Sequence, residues 1–190
     1  MGAAKVGKRY RGKGARNYEK KRTGKNKWIL ENQGVDELFP FGCTNVLDVP
    51  IGTGRFYPSY ERRGLQITGV DTSPDMLTEA NKKGPMTLIQ GDIRNMPFQD
   101  KQFDVAVCVR LFAWFEPSEV QAALREMARV ARILIVNIRT NAHDPFCKNN
   151  SLWNHYRSDF FYWVQKINYK VTRVFNVGNN GNDIYRLEER

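Results

Sequence analysis

Three aspartates stand where short apolar segments end: Asp48 in Leu47-Asp48-Val49-Pro50, Asp71 in Gly69-Val70-Asp71-Thr72 and Asp92 in Gln90-Gly91-Asp92-Ile93. Between the first two lies Gly52-Thr53-Gly54. Glycines at alternate positions let a backbone approach a ligand closely, and the N–H groups of a following helix start suit an anion. The third glycine of a dinucleotide fingerprint would fall at Tyr57, so a pyrophosphate-binding nicotinamide site is disfavoured. Asp48, inside the turn, would repel pyrophosphate and attract a cation. Asp71 has the spacing of an acid that accepts hydrogen bonds from ribose hydroxyls, and Asp92 is placed to accept one from the exocyclic amine of an adenine. One aspartate after one strand is most simply a helix cap. Three at successive strand ends, with the glycine turn, suit a ligand that carries a positive charge, a ribose and an adenine.

Such residues need a scaffold that sets strand ends side by side. From residue 44 onward, apolar runs alternate with helical patterns, as in an α/β domain with a mostly parallel sheet. Strands are predicted at Asn45–Val49, Gln66–Asp71, Met86–Gln90, Phe103–Val109 and Ile133–Ile138, the last two apolar enough to be covered on both faces. Helices are predicted over residues 17–33, presenting Trp28, Ile29 and Leu30, and from Pro74, capped by Thr72 or Ser73, with Met76, Leu77 and Ala80 inward. Another runs from Pro117 to Ala131 with Val120, Leu124 and Met127 on one stripe, and a last one over Asp159–Ile167. Residues 140–157 read as an irregular excursion. Lys170–Val177 and Asp183–Glu188 read as an antiparallel hairpin about Gly178-Asn179-Asn180-Gly181.

The charge is unevenly placed. The 190-residue chain has a formal net charge of +10, and residues 1–27 hold eleven of its thirty Lys/Arg but only one acid, Glu19. Residues 28–190, the single expected domain, are balanced. A basic, partly flexible arm over 1–27 points to a polyanionic partner, RNA before DNA, engaged through residues 5–27 with Tyr10 and Tyr18 available to stack on bases. The alternatives are a solvated tail or a lid that folds over the site. Three cysteines, Cys43, Cys108 and Cys147, with no CxxC pair exclude a disulfide scaffold and most zinc folds. No apolar run approaches the roughly 18 residues that span a bilayer, and no apolar stretch follows the basic N-terminus as in a secretory signal. The expectation is a cytoplasmic monomer or weak dimer.

VLDVPIGTGRF, ITGVDTSPDML, QGDIRNMPFQDKQFDVAVCVRLFAWF and EVQAALREMARVARILIVNI resemble, in order and spacing, the class I S-adenosylmethionine-dependent methyltransferases. The group most similar is the small ubiquinone/menaquinone-biosynthesis-like one. The resemblance covers residues 44–139 and implies a Rossmann-like, seven-stranded, mostly parallel sheet with helices on both faces and a C-terminal antiparallel hairpin. It implies S-adenosylmethionine as cofactor, with Asp48, Gly52 and Gly54 around the methionine portion and Asp48 reaching its ammonium directly or through water. It further implies Asp71 on the ribose, Thr72, Ser73 and Met76 flanking ribose and adenine, Asp92 and the backbone of Ile93 at the adenine edge, and Val109 and Arg110 below the sulfonium. Two departures stand out. Pro50 replaces the family's usual glycine and removes an N–H donor, and Arg132 enters the fifth strand without the usual proline-glycine-glycine turn.

Methyl transfer from a sulfonium is an in-line displacement for which a protein supplies mainly proximity and orientation. No Ser-His-acid arrangement is present, and the only candidates for a catalytic role are His143, as a general base, and Arg110, steering an anionic acceptor. Trp114 and Phe115 are candidates to wall a flat acceptor, or core aromatics. His143, Asp144, Cys147 and His155 match no standard zinc spacing, so no metal is expected. The reading is a methyltransferase acting on an unidentified acceptor, with RNA suggested by the arm. The alternatives are a small-molecule or lipid-precursor methyltransferase whose arm is a lid, or a non-catalytic module that binds the cofactor.

Overall fold

The computed structural model describes residues 10–141, 152–178 and 182–190. Eight strands are present: β1 Asn45–Asp48, β2 Gln66–Asp71, β3 Thr87–Gln90, β4 Phe103–Cys108, β5 Ala131–Asn141, β6 His155–Tyr156, β7 Tyr169–Phe175 and β8 Asn182–Glu189. Seven lie in the order β3-β2-β1-β4-β5-β8-β7, and β6 pairs with the end of β5. The first five are parallel, while β8 runs antiparallel to both β5 and β7. This is the seven-stranded Rossmann-like arrangement with a C-terminal antiparallel pair that the sequence predicts. Strand order reverses between β1 and β4, where α/β sheets bind ligands at their carboxyl ends.

Helices cover both faces: α1 Lys13–Arg16, α2 Asn26–Leu38, α3 Tyr57–Arg62, α4 Pro74–Ala80, α5 Pro117–Val130 and α6 Arg157–Lys166. Because strand side chains alternate, Leu47, Ala106, Leu134 and Val136 meet α5 and α6 through Val120, Leu124, Met127 and Phe160. Val46, Val105, Val107 and Ile135 face the other way, onto Val35 and Leu38 of α2 and Tyr57 and Tyr60 of α3.

Several boundaries differ from expectation for local reasons. The helix predicted over 17–33 begins at Asn26, because Gly24 takes a φ of 84° and the stretch before it runs in turns. The fifth strand is longer than predicted: Ala131 both ends α5 and begins β5, so helix passes into strand with no linker. The supposed irregular stretch 140–157 contains the end of β5, β6 and the first residue of α6, and residues 142–151 within it lie outside the described residues. The terminal hairpin is present as β7 and β8, with a bulge between Val171 and Arg173, and residues 179–181 of its turn are outside the described set.

Helix α2 approaches the sheet closely because Gly34 has no side chain. A Cβ there would lie 2.6 Å from Phe175 Cδ1 and 2.9 Å from Ile184 Cδ1. Gly34→Ala would gain about 1 kcal/mol of helix propensity, yet the overpacking outweighs it. A net loss of about 1–2 kcal/mol is expected, read as a lower urea midpoint with an unchanged slope.

Candidate cofactor and acceptor site

The site is organised by Asp71 at the end of β2. Its Oδ2 accepts the Gly52 N–H at 2.9 Å and its Oδ1 accepts the Ser73 N–H at 2.9 Å. One carboxylate thus fixes the loop after β1 relative to the start of α4, and each oxygen keeps a lone pair for a ligand hydroxyl. Burial pushes its pKa up, and these backbone N–H groups pull it back. Ser73, not Thr72, caps α4, its hydroxyl accepting the Met76 N–H.

Gly52 and Gly54 have φ of 58° and 71°, so the turn needs both glycines. Part of the expected supply of free N–H groups is already bonded within the fold. The Ile51 N–H goes to Val70 O, the Gly52 N–H to Asp71, the Gly54 N–H to Ile51 O and the Tyr57 N–H to Gly54 O. Pro50, joined to Val49 by a cis peptide bond, has none to offer. Those five positions therefore offer no N–H to an anion.

A cleft of about 1050 Å³, solvent at its mouth included, opens here. Of the twelve residues singled out for the cofactor, ten line it: Pro50, Gly52, Asp71, Thr72, Ser73, Met76, Asp92, Ile93, Val109 and Arg110. Asp48 and Gly54 stand behind its wall. Gly54 faces Ala80 of α4. Asp48 is 1% exposed, and its Oδ2 accepts a 3.3 Å hydrogen bond from Tyr60 Oη. Burial raises its pKa to about 8, against the pull of Arg55, so near neutrality it is a buried carboxylic acid. It does not line the cleft, so of the two expected links to an ammonium the direct one is not formed by this arrangement. Asp92 reaches the cleft, but Arg94 holds both of its oxygens and lowers its pKa, while bridging to Glu119.

Arg110, at the end of the central strand β4, lines the cleft with a φ of 67°, a left-handed conformation that a non-glycine residue adopts under constraint. Its N–H reaches Asn137 Oδ1 at 3.3 Å and its Nε donates to Glu31 Oε2 at 2.6 Å. His143, Asp144 and Cys147 lie outside the described residues. His155 is buried, its Nε2 3.0 Å from Phe112 O, and burial lowers its pKa. Trp114 and Phe115, left open between wall and core, both line the cleft. No cluster of His, Cys, Asp or Glu suited to a metal occurs among the described residues.

Sequence reasoning passed over Arg55, Glu31 and Arg94. Arg55 directly follows the glycine turn and lines the cleft, and its Nη1 donates to Glu31 Oε2 at 3.0 Å. Glu31 lies on α2 three residues before Gly34, a buried acid on an otherwise apolar stripe with Val35 and Leu38. A lone acid on such a stripe was the available signal.

The N-terminal segment roofs the cleft. Tyr10 and Tyr18 line it, and Ser73 Oγ donates to Tyr10 O at 3.0 Å. The Gly12 N–H donates to Asp75 Oδ2 at 3.0 Å. Glu19 accepts from Thr53 Oγ1 at 2.8 Å and pairs with Lys83 Nζ at 2.7 Å.

Residues 46–133 match the family model described as a methyltransferase domain. The chain is 31% identical over 101 residues to an uncharacterized methyltransferase of Mycobacterium bovis, covering 53% of this chain and 40% of that protein. It is 38% identical over 101 residues to a demethylmenaquinone methyltransferase of Thermotoga maritima, covering 52% and 43%. The chain thus spans less than half the length of these relatives. The fold is similar to that of magnesium protoporphyrin IX methyltransferase from Synechocystis with bound S-adenosylhomocysteine, with a TM-score of 0.79 at 15% identity over 98% of this chain and 99% of that one. The cleft therefore sits in a Rossmann-like domain. Residues 46–133 are thus similar in sequence to a methyltransferase domain, and the fold is similar to that of proteins solved with S-adenosylmethionine or S-adenosylhomocysteine bound.

The residues fit that cofactor, with spare acceptors on Asp71 and unpartnered donors on Arg55. Asp71→Ala should weaken binding of S-adenosylhomocysteine about 100-fold, the worth of two charge-assisted hydrogen bonds, as measured by calorimetry on protein whose melting is checked in parallel. Asp48→Asn tests the buried acid. Between about pH 4 and 8 unfolded Asp48 is ionised while the folded group holds its proton, so wild-type stability falls as pH rises through that window. The neutral variant lacks this term, and its melting temperature should rise relative to wild type up to about pH 8 and then hold level.

Proposed function

We propose that this chain is an S-adenosylmethionine-dependent methyltransferase acting on a small molecule, with residues 10–24 as a roof over the reacting groups. The observation that carries the small-molecule reading is the fastening of that segment to both banks of the cleft, at Ser73 and Asp75 on one side and Thr53 and Lys83 on the other. The demethylmenaquinone methyltransferases among the similar proteins support it. So do the aromatic rings of Trp114 and Phe115 at the wall, which offer flat apolar surface to an acceptor.

S-adenosylmethionine supplies a methyl group already activated on a sulfonium. The chain's own part is to hold and to exclude. Asp71 accepts hydroxyls, Met76 and Ile93 give apolar walls, and Val109 and Arg110 border the space where donor and acceptor meet. With donor and acceptor bound, these residues would hold the acceptor's lone pair in line with the sulfonium methyl group. Water exclusion by the roof and orientation by the walls are the catalytic contributions.

A second reading, RNA as acceptor, is favoured by the outward side of the same segment, where Arg11, Lys13, Arg16, Lys20, Lys21, Lys25 and Lys27 are exposed. Incubation with methyl-labelled cofactor and a cell extract separated into metabolites, lipids, RNA and protein decides between them. Label in the metabolite or lipid fraction is expected. Label confined to RNA would overturn the small-molecule reading, and no label in any fraction would favour a binding module without turnover.

A further inference from the structure

Beside the glycine turn, cations outnumber acids in a nearly dry place. Glu31, fully buried, takes Arg55 Nη1 at 3.0 Å and Arg110 Nε at 2.6 Å, with Lys27 Nζ at 3.9 Å. The Arg55 side chain is 8% exposed, and its Nε and Nη2 are buried with no hydrogen-bond partner among the described residues. Its guanidinium carbon lies 4.3 Å from the ring centre of Trp28 and 4.4 Å from that of Phe56, so two aromatic rings pack against the fork. A charged donor that is buried, held rigid and left unpaired at a cavity wall marks a place for a ligand acceptor. The Ile51, Gly52 and Gly54 N–H groups of the neighbouring loop are already bonded, which leaves the guanidinium as the charged donor beside it.

We propose that Arg55 and Arg110 form a carboxylate-binding subsite of the cleft, with Glu31 as the residue that positions both guanidinium groups. This rests on the methyltransferase reading above. A planar fork with adjacent free donors matches the two oxygens of a carboxylate. One of the two arginine charges is offset by Glu31, and Asp71 and Asp92 line the same cleft, so a monoanion is preferred to a phosphate-rich ligand. The carboxylate has two sources: the amino-acid end of the cofactor, or a carboxylate on the acceptor.

Calorimetry separates them. S-adenosylhomocysteine carries the amino-acid end, whereas 5′-methylthioadenosine is the same nucleoside without it. Both are titrated into wild type, Arg55→Gln, Arg55→Lys and Glu31→Gln, and benzoate is titrated into each protein saturated with S-adenosylhomocysteine. The expected result is a loss of at least about tenfold in S-adenosylhomocysteine affinity for Arg55→Gln and Glu31→Gln, with 5′-methylthioadenosine within about twofold of wild type and partial recovery in Arg55→Lys. That split assigns the carboxylate to the cofactor, and a general loosening of the fold would not produce it. Unchanged binding of both nucleosides, with benzoate binding present in wild type and lost in Arg55→Gln, supports the subsite and assigns it to the acceptor. Equal weakening of both nucleosides, or no change in any titration, overturns the proposal. Wild-type protein that binds neither nucleoside overturns the methyltransferase reading itself.

Discussion

A carboxylate with no exposed surface must be paired, or the fold that buries it is penalised by the full cost of desolvating a charge. Glu31 is such a group, and its partners come from two parts of the chain far apart in sequence: Arg55 after the first strand and Arg110 after the fourth. Satisfying one acid therefore pins helix α2, the glycine turn and the central strand end to one another. Gly34, three residues on, lets the helix come near enough to the sheet to make those bonds, and Trp28 on the same helix stacks on the Arg55 fork. The left-handed Arg110 belongs to the same arrangement, since its N–H is held by Asn137 while its side chain turns to Glu31.

Against this frame the three strand-end aspartates prove unlike one another. Asp71 is a backbone organiser with oxygens to spare, Asp92 is an ionised partner of Arg94, and Asp48 is a buried acid that keeps its proton. Position at a strand end sets only where a carboxyl starts. What surrounds it decides its charge. Tyr60 and the apolar strands remove water from Asp48, while Arg94, two residues along and partly in solvent, keeps Asp92 charged.

The same distinction separates what the sequence makes legible from what it does not. The five parallel strands, helices α4 and α5 and the antiparallel pair β7 and β8 were visible because each depends on local pattern: apolar runs of strand length, Pro74 behind Ser73, the stripe Val120, Leu124, Met127. Ten cleft residues were visible because they sit at strand ends and turns in a familiar order. Glu31 left only its place as an acid on an apolar stripe, and its bridges to Arg55 and Arg110, across 24 and 79 positions, leave no local trace. The N-terminal segment shows the limit most clearly. Its composition speaks of charge and glycine, whereas its place is set by Glu19, its only acid, and by two backbone groups at Tyr10 and Gly12.

Ser73 joins several of these parts in one residue. Its N–H goes to Asp71, its hydroxyl both caps α4 and holds the carbonyl of Tyr10. The leading segment is thus joined to the Asp71 carboxylate through two bonds on one residue, its hydroxyl and its own backbone N–H. The exposed lysines and arginines of that segment stand on a stretch of chain that ends, two hydrogen bonds on, at the wall of the cleft.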